Sequence, residues 1–189
     1  PDASGFAVAG RIGLAHRRLS IIDLSPAGAQ PMWTPDRRFV IAFNGEVYNF
    51  SSLREELEKR GERFSSRSDT EVVLRLLSLE GAAGLERLDG MFALALVDVG
   101  RGTCLLARDR TGQKPLYVAA LPGGGHAFAS ELAPLLAVPG VDREIDPQGL
   151  SQLLTFGFAP APFTLRRGVR QLLPGTALLL SSGAASRET

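Results

Sequence analysis

Residues 39–50 read Phe39-Val40-Ile41-Ala42-Phe43-Asn44-Gly45-Glu46-Val47-Tyr48-Asn49-Phe50, with an apolar run that stops at Asn44. A short β-branched and aromatic run closed by Asn-Gly predicts a strand that ends in a tight turn. The end of a strand is a common place for chemistry, and here it carries an amide side chain, an unshielded backbone N–H and a carboxylate. Asn44 and the Gly45 N–H are therefore candidates for holding a developing oxyanion. The alternative is an ordinary Asn-Gly hairpin turn without a function.

Composition and charge limit the classes of function. The 189 residues allow one domain with a sizeable core, with or without a tail. The formal net charge of +1 gives no electrostatic reason to bind nucleic acid or a membrane surface. No apolar run approaches the roughly 20 residues that cross a bilayer. Cys104, the single cysteine, indicates a reducing compartment and a cytoplasmic location. Because the chain begins at Pro1 without Met, we expect a segment before it.

The helical signals lie in the first half of the chain. Ser52, with an acid three residues on, is predicted to cap a helix that Gly61 ends. Residues 68–71 have the spacing of a second capping box, at the start of a strongly apolar helix that ends at Gly81. Residues 25–38 are predicted to form a loop.

The second half of the chain changes to strand periodicity. One antiparallel meander is predicted, with strands at 91–99, 103–107, 115–120 and 126–129. Further elements are a strand at 12–16, short helices at 131–138 and 147–156, and a last strand at 178–180. Residues 92–97 are apolar on both faces, so that strand must be covered on both sides. We therefore expect an α+β fold in which one sheet packs on another and helices back the sheets.

Six segments occur in an order that closely resembles the glutaminase domain of glutamine-hydrolysing asparagine synthetases. They read HRRLSIID at 16–23, NGEVYN at 44–49, SDTE at 68–71, DGMFA at 89–93, ARDRTGQKPLY at 107–117 and FASEL at 128–132. The resemblance covers residues 1 to about 180. It implies a glutamine amidotransferase type 2 domain at 1–180 and a linker at 181–189 toward a synthetase domain outside this chain.

The resemblance also implies a fold and a reaction. The fold is the N-terminal-nucleophile hydrolase fold, a four-layer αββα sandwich with two antiparallel sheets. In such domains the first residue is a cysteine whose thiol attacks the glutamine side-chain amide, while its own α-amine serves as base. Ammonia leaves, and water then hydrolyses the glutamyl thioester. The synthetase domain uses ATP and Mg to amidate aspartate, whereas the glutaminase domain needs no cofactor or metal.

Matching positions give the site residues that the resemblance implies. Asn44 and Gly45 form the oxyanion hole and belong to the glutamine pocket. Arg18 binds the α-carboxylate, because a planar guanidinium can hold it with two hydrogen bonds. Glu46 and Asp69 face the α-ammonium, although an acid in the first turn of a helix is also favoured by the helix dipole. The backbones of Leu19 and Ile21 line the same pocket.

The implied partners are L-glutamine and the synthetase domain of the same polypeptide, without nucleic acid or membrane. A homodimer is left open. The charged turn of Arg108, Asp109, Arg110 and Lys114 is expected to form a structural ion-pair network. His16 and His126 are expected to be satisfied polar residues, and Ser130-Glu131 a helix cap.

The chain departs from the family pattern because no cysteine stands at or near residue 1. Cys104 lies in an apolar strand and is expected to be a core residue. We therefore predict that the nucleophile lies upstream of Pro1 and that this fragment is inactive alone. One alternative is a non-catalytic domain of a cysteine-free relative, similar to that of the β-lactam synthetases. Another is the amidotransferase domain of a paralogue that uses a different acceptor.

Overall fold

The computed structural model describes residues 3–18, 25–181 and 187–188. The helices are α1 Phe50–Lys59, α2 Asp69–Glu80, α3 Leu132–Ala137 and α4 Pro147–Phe156, and short 3-10 helices span Pro26–Gly28 and Gly81–Arg87. The strands are β1 Ala3–Ala9, β2 Ile12–Arg18, β3 Met32–Trp33, β4 Phe39–Val47, β5 Gly90–Asp98, β6 Thr103–Arg108, β7 Tyr117–Ala120, β8 His126–Ala129, β9 Val169–Gln171, β10 Ala177–Ser181 and β11 Arg187–Glu188.

The central sheet has the strand order β11-β10-β6-β5-β4-β3 and is antiparallel throughout. Residues 92–98 of β5 are all buried, which confirms that this strand is covered on both faces. On one face lie α1 and α2, whose leucines and valines share a cluster with Ile41, Phe43 and Leu94. Burial of these apolar side chains fixes the two helices on the sheet.

A second β layer covers the other face of the central sheet. It consists of the β1–β2 hairpin and a three-stranded sheet in the order β8-β7-β9. Leu14 of the hairpin and Val118 of β7 lie in one cluster with Val97 and Leu106 of the central sheet. The helix α3 packs on β7 and β8 and buries Leu135 there. The predicted αββα layering is confirmed, with the second β layer in two parts.

The predicted turn at Asn44-Gly45 is wrong. Strand β4 continues through both residues to Val47, with Asn44 opposite Ala93 and Gly45 opposite Phe92. A Cβ on Gly45 would lie 2.0 Å from the Met91 carbonyl oxygen, and the residue has a φ of +154°. Glycine therefore serves the close approach of two strands here rather than a turn.

One predicted helix start and one predicted capping box also need correction. The helix α1 begins at Phe50, and Ser52 lies inside its first turn, where the hydroxyl donates to the Asn49 carbonyl. Ser68 does cap α2 by accepting from the Thr70 N–H, but Glu71 does not complete a capping box. Glu71 instead accepts hydrogen bonds from Ser65 and Ser66 in the preceding loop.

The predicted meander covers only part of the observed sheets. Strand β5 pairs with β6 and β7 pairs with β8 as predicted, but β7 and β8 belong to the second β layer instead of continuing the sheet of β5 and β6. Glu131 precedes α3 without a side-chain capping bond, so the predicted cap there is wrong. Helix α4 spans residues 147–156 as predicted and ends at Gly157.

The boundary at residue 180 stays a prediction. Ser181 still belongs to β10, and Arg187–Glu188 pairs with Leu178 and Leu179. Among the described residues, none of the helices has the length and apolar character that a membrane span requires.

Candidate functional site

A cavity of about 220 Å³ lies where β2, β4 and the first turn of α2 meet. It is lined by the five described residues that the sequence nominated: Arg18, Asn44, Gly45, Glu46 and Asp69. Leu19 and Ile21 lie outside the described residues. The lining also includes residues that were not nominated: His16, Arg17, Gly28, Gln30, Phe43, Ser68, Thr70, Met91 and Lys114.

The cavity lies along an open edge of β4. Strand β3 pairs with β4 only at Val40 and Ile41, so among the described residues no strand lies beside residues 43–47 on that side. The Phe92 N–H in β5 donates to Asp109 Oδ2 at 3.2 Å, and the Phe92 carbonyl accepts from the Asp109 N–H at 2.8 Å. Both backbone groups of Phe92 therefore point away from β4. In an antiparallel pair, the residue directly opposite then also points its N–H and carbonyl away from the partner strand. Gly45 therefore directs its N–H and carbonyl to the open edge.

Alternation along β4 places three backbone N–H groups on this edge. The Phe43 N–H donates to Gln30 Oε1 at 2.7 Å, and the Val47 N–H donates to Asp69 Oδ2 at 3.0 Å. Between them, no bond to the Gly45 N–H is seen in the described parts of the chain. The Asn44 side-chain amide is likewise without a partner among the described residues. Two neighbouring donors are thus available to a ligand, as an oxyanion hole requires.

Asp69 forms the anionic side of the cavity and is only 5% exposed. Its Oδ1 accepts from the Thr70 N–H at 2.8 Å, while Oδ2 accepts from the Val47 N–H. Burial raises the pKa of the Asp69 carboxyl, the hydrogen bonds from Val47 and Thr70 counteract this, and the charge of Glu46 raises it further. No cation of the described residues lies within ion-pair distance of Asp69, so a ligand cation would stabilise its charged form.

Arg18 forms the cationic side, at the end of β2. It is 9% exposed, and its Nη1 donates to the Ser25 carbonyl oxygen at 3.0 Å. Arg17 and Lys114 also line the cavity. Guanidinium and carboxylate groups around one small cavity suit a zwitterionic ligand, because each ligand charge gains a charge-assisted bond.

His16 departs from the prediction that it is a satisfied polar residue. Its Nε2 lies 3.1 Å from the Phe43 carbonyl oxygen, whereas Nδ1 is buried with no partner among the described residues. Burial lowers the pKa of His16, the bond to Phe43 raises it, and Arg18 lowers it. The lowered pKa favours the neutral ring, and Nε2 donates to Phe43, since a carbonyl can only accept. His126 is exposed at the start of β8.

The charged turn after β6 is held by backbone contacts rather than by the predicted ion-pair network. The Arg108 guanidinium donates to the carbonyls of Lys114 at 2.7 Å, Leu172 at 2.6 Å and Gly112 at 2.6 Å. Asp109 accepts from the N–H groups of Phe92, Thr111, Gln113 and Lys114. These bonds fix the turn that places Lys114 at the cavity.

Cys104 is 2% exposed and lies between the two β layers, which confirms it as a core residue. Across the described residues, no group of three or more His, Cys, Asp or Glu side chains is arranged to hold a metal ion.

The fold is shared with known amidotransferases. A glutamine phosphoribosylpyrophosphate amidotransferase from Bacillus subtilis superposes with a TM-score of 0.62 and 20% identity, over 94% of this chain and 34% of that chain. A family model described as a glutamine amidotransferase domain matches residues 1–189. The chain therefore belongs to the glutamine amidotransferase domain family.

Similar curated proteins are longer than this chain. Asparagine synthetase [glutamine-hydrolyzing] 1 of Bacillus subtilis is 39% identical over 176 residues, which are 93% of this chain and 27% of that protein. Asparagine synthetase B [glutamine-hydrolyzing] of Escherichia coli is 42% identical over 138 residues, which are 73% of this chain and 24% of that protein. The chain thus spans about a quarter of the length of these relatives.

Proposed function

We propose that this chain forms the glutamine-binding part of the glutaminase domain of a glutamine-hydrolysing asparagine synthetase. The observation that carries the proposal is the cavity at the open edge of β4. It brings the donors of Asn44 and Gly45 together with cationic Arg18 and anionic Glu46 and Asp69. L-Glutamine has a carboxylate, an ammonium and a carboxamide, which match these three kinds of group.

Each residue has a distinct role in the proposal. Arg18 binds the α-carboxylate, and Asp69 with Glu46 binds the α-ammonium. The proposal also counts Leu19 and Ile21, which lie outside the described residues, among the glutamine-binding residues. The Asn44 amide and the Gly45 N–H donate to the side-chain carbonyl oxygen as it becomes an oxyanion, and one such donor contributes about 3 kcal/mol.

The nucleophile in this proposal is a cysteine at the start of a segment that precedes Pro1. Its thiolate attacks the side-chain amide carbon of glutamine, with its α-amine as base, and the C–N bond breaks as ammonia leaves. Water then hydrolyses the thioester to glutamate and the free thiol. Ammonia passes to a synthetase domain of the same polypeptide, which amidates aspartate with ATP and Mg, while the glutaminase domain itself needs no cofactor.

Two measurements on the 189-residue chain test the proposal. Calorimetry should show glutamine binding at millimolar concentration, whereas the chain alone should release no ammonia. A gene product that begins with the cysteine should release ammonia, and Asn44→Ala should lower kcat by about 10²–10³-fold.

Turnover by the isolated 189-residue chain that Asn44→Ala abolishes would refute the upstream nucleophile. A residue other than cysteine after the initiator Met would favour the cysteine-free relative. Release of ammonia without amidation of aspartate would favour a paralogue with another acceptor.

A further inference from the structure

Gln30 occupies the place that a neighbouring strand would take beside β4. Its Oε1 accepts the Phe43 N–H at 2.7 Å, and its Nε2 donates to Thr70 Oγ1 at 3.3 Å. The carbonyl of the same Phe43 is met by His16 Nε2 at 3.1 Å. Two side chains therefore satisfy both backbone groups of Phe43, immediately before the two donors of the site.

The backbone of Gln30 is held from both sides. Met32, two residues on, pairs with Ile41 of β4. Gly5 of β1 packs so closely on Gln30 that a Cβ there would lie 2.4 Å from the Gln30 carbonyl oxygen. Gln30 is half-buried at the cavity wall. Its side chain thus reaches β4 and α2 from a fixed base.

We infer that Gln30 is a positioning residue of the oxyanion site: its amide replaces the missing strand neighbour of Phe43 and links β4 to the first turn of α2. This inference rests on the proposed glutaminase function. Gln30 does not bind the reacting atoms. It holds the backbone from which Asn44 and Gly45 present their donors.

The open edge explains why such a residue is needed. The N–H groups of Phe43 and Val47 are held by Gln30 and Asp69, and the Gly45 N–H between them stays available. Without Gln30 the Phe43 N–H loses its partner, and the adjoining peptides can rotate. A displacement of about 1 Å at a reacting centre can cost about 10²-fold in rate. Donors that act on the oxyanion act mainly in the transition state, so kcat falls more than KM rises.

The test uses the full-length protein with its native N-terminus and three variants. Gln30→Met removes the amide at similar length, and we expect kcat to fall about 10- to 100-fold with KM within about threefold. Gln30→Glu keeps an acceptor for the Phe43 N–H, and the Thr70 hydroxyl can donate to it, so most of kcat returns. The control is Gln148→Met, an exposed position on α4, which should leave both constants unchanged.

Hydrogen exchange provides a readout that does not depend on activity. The Phe43 amide should exchange faster in Gln30→Met than in the wild-type protein, although the two proteins have equal thermal stability. Gln148→Met should show no such increase. If Gln30→Met does not fold, Thr70→Val replaces it, because this change removes the anchor of Gln30 with little change in volume. It should lower kcat without raising KM, and an unchanged kcat would overturn the inference.

The remaining outcomes separate the inference from the proposed function. A folded Gln30→Met protein with kcat within threefold of wild type, or with a loss confined to KM, overturns the positioning role. If the wild-type protein hydrolyses no glutamine, the proposed function fails and exchange alone decides on Gln30. Faster Phe43 exchange then supports the positioning role, and unchanged exchange overturns it.

Discussion

Gly45 meets two demands at once. Its position opposite Phe92 leaves no room for a side chain, because a Cβ would lie 2.6 Å from the Phe92 Cα. Its N–H faces the cavity because Phe92 is turned toward Asp109. The same glycine therefore permits the strand pairing and supplies the backbone donor.

Gly45→Ala should be strongly destabilising, since the new methyl group meets backbone atoms that cannot move aside. We expect a loss of about 3 kcal/mol in the free energy of unfolding, measured by urea denaturation. The matched control is Gly13→Ala in β2, where a Cβ meets nothing within 4 Å, with an expected effect within about 0.5 kcal/mol. Equal stability of the two variants would contradict the close approach of β4 and β5.

Asp69 should make glutamine binding depend on pH. Burial raises the pKa of the Asp69 carboxyl in the free protein, so its charge is lost at a higher pH than that of an ordinary Asp. The ionised form binds the ammonium, so affinity is full above this raised pKa and weakens about tenfold per pH unit below it. Calorimetric Kd values across the acidic range measure this.

Asp69→Asn is the matched control for the pH experiment. It should weaken binding at neutral pH and remove the component of the pH dependence that Asp69 causes. The same pH profile in both proteins would assign the dependence to another group. Glu46, which lines the same cavity, would then be the next candidate.

At the scale of elements, Glu71 ties α2 to the loop before it. Its carboxylate accepts from the backbone N–H and hydroxyl of Ser65 and of Ser66. Burial raises the pKa of Glu71, but these hydrogen bonds outweigh burial and hold the pKa below its usual value of 4.5. The loop and the first turn of α2, which carries Asp69, are thereby held together.

Glu71→Gln should cost about 1–3 kcal/mol in the free energy of unfolding at pH 7, because charge-assisted bonds to the loop are lost. The folded pKa is depressed, so this contribution is present above the unfolded-state pKa. It is lost as pH falls from about 4.5 through the folded pKa. Urea denaturation at pH 7 and at acidic pH should show the two proteins converging. Glu58→Gln, which breaks an exposed pair with Arg54, should cost at most about 0.5 kcal/mol.

Elements with local signals could be predicted from the sequence. Helix α4 lies at the predicted residues 147–156, where Asp146 caps its first turn and Gly157 takes the left-handed conformation at its end. The Asn44-Gly45 turn failed because strand pairing with β5, distant in sequence, overrides a local preference. The prediction that β7 and β8 continue the meander failed for the same reason, because β7 pairs with β9, which is distant in sequence.

The candidate site also contains residues that the sequence predicted and residues that depend on contacts distant in sequence. Asn44 and Gly45 were named from the local pattern, Arg18, Glu46 and Asp69 were named through the resemblance, and the structure brings all five to one cavity. Gln30 carries no signal in its neighbourhood, because its partners lie 13 and 40 residues away. His16 was named but misjudged, because burial of a single ring nitrogen depends on tertiary packing.

At the scale of the whole molecule, the two β layers enclose a continuous apolar core between them. Val40, Val97 and Leu106 of the central sheet meet Val118 and Leu172 across this interface. Cys104 belongs to the same cluster. Access to its thiol therefore requires the two layers to separate, which makes the thiol a reporter of the packing of the domain.

Cys104 should be unreactive in the native chain. Burial raises the pKa of its thiol to about 12, so almost no thiolate exists at pH 8, and reagents cannot reach the sulfur. We expect a disulfide reagent such as DTNB to label it only as fast as the domain opens, and rapidly in urea. The control is a second thiol introduced by Ser151→Cys on the exposed side of α4, which should react at once in the same molecule. Equal native rates for the two thiols would mean that the layers do not enclose Cys104. A slow thiol beside a fast one would show why this cysteine cannot serve as the nucleophile of the proposed glutaminase.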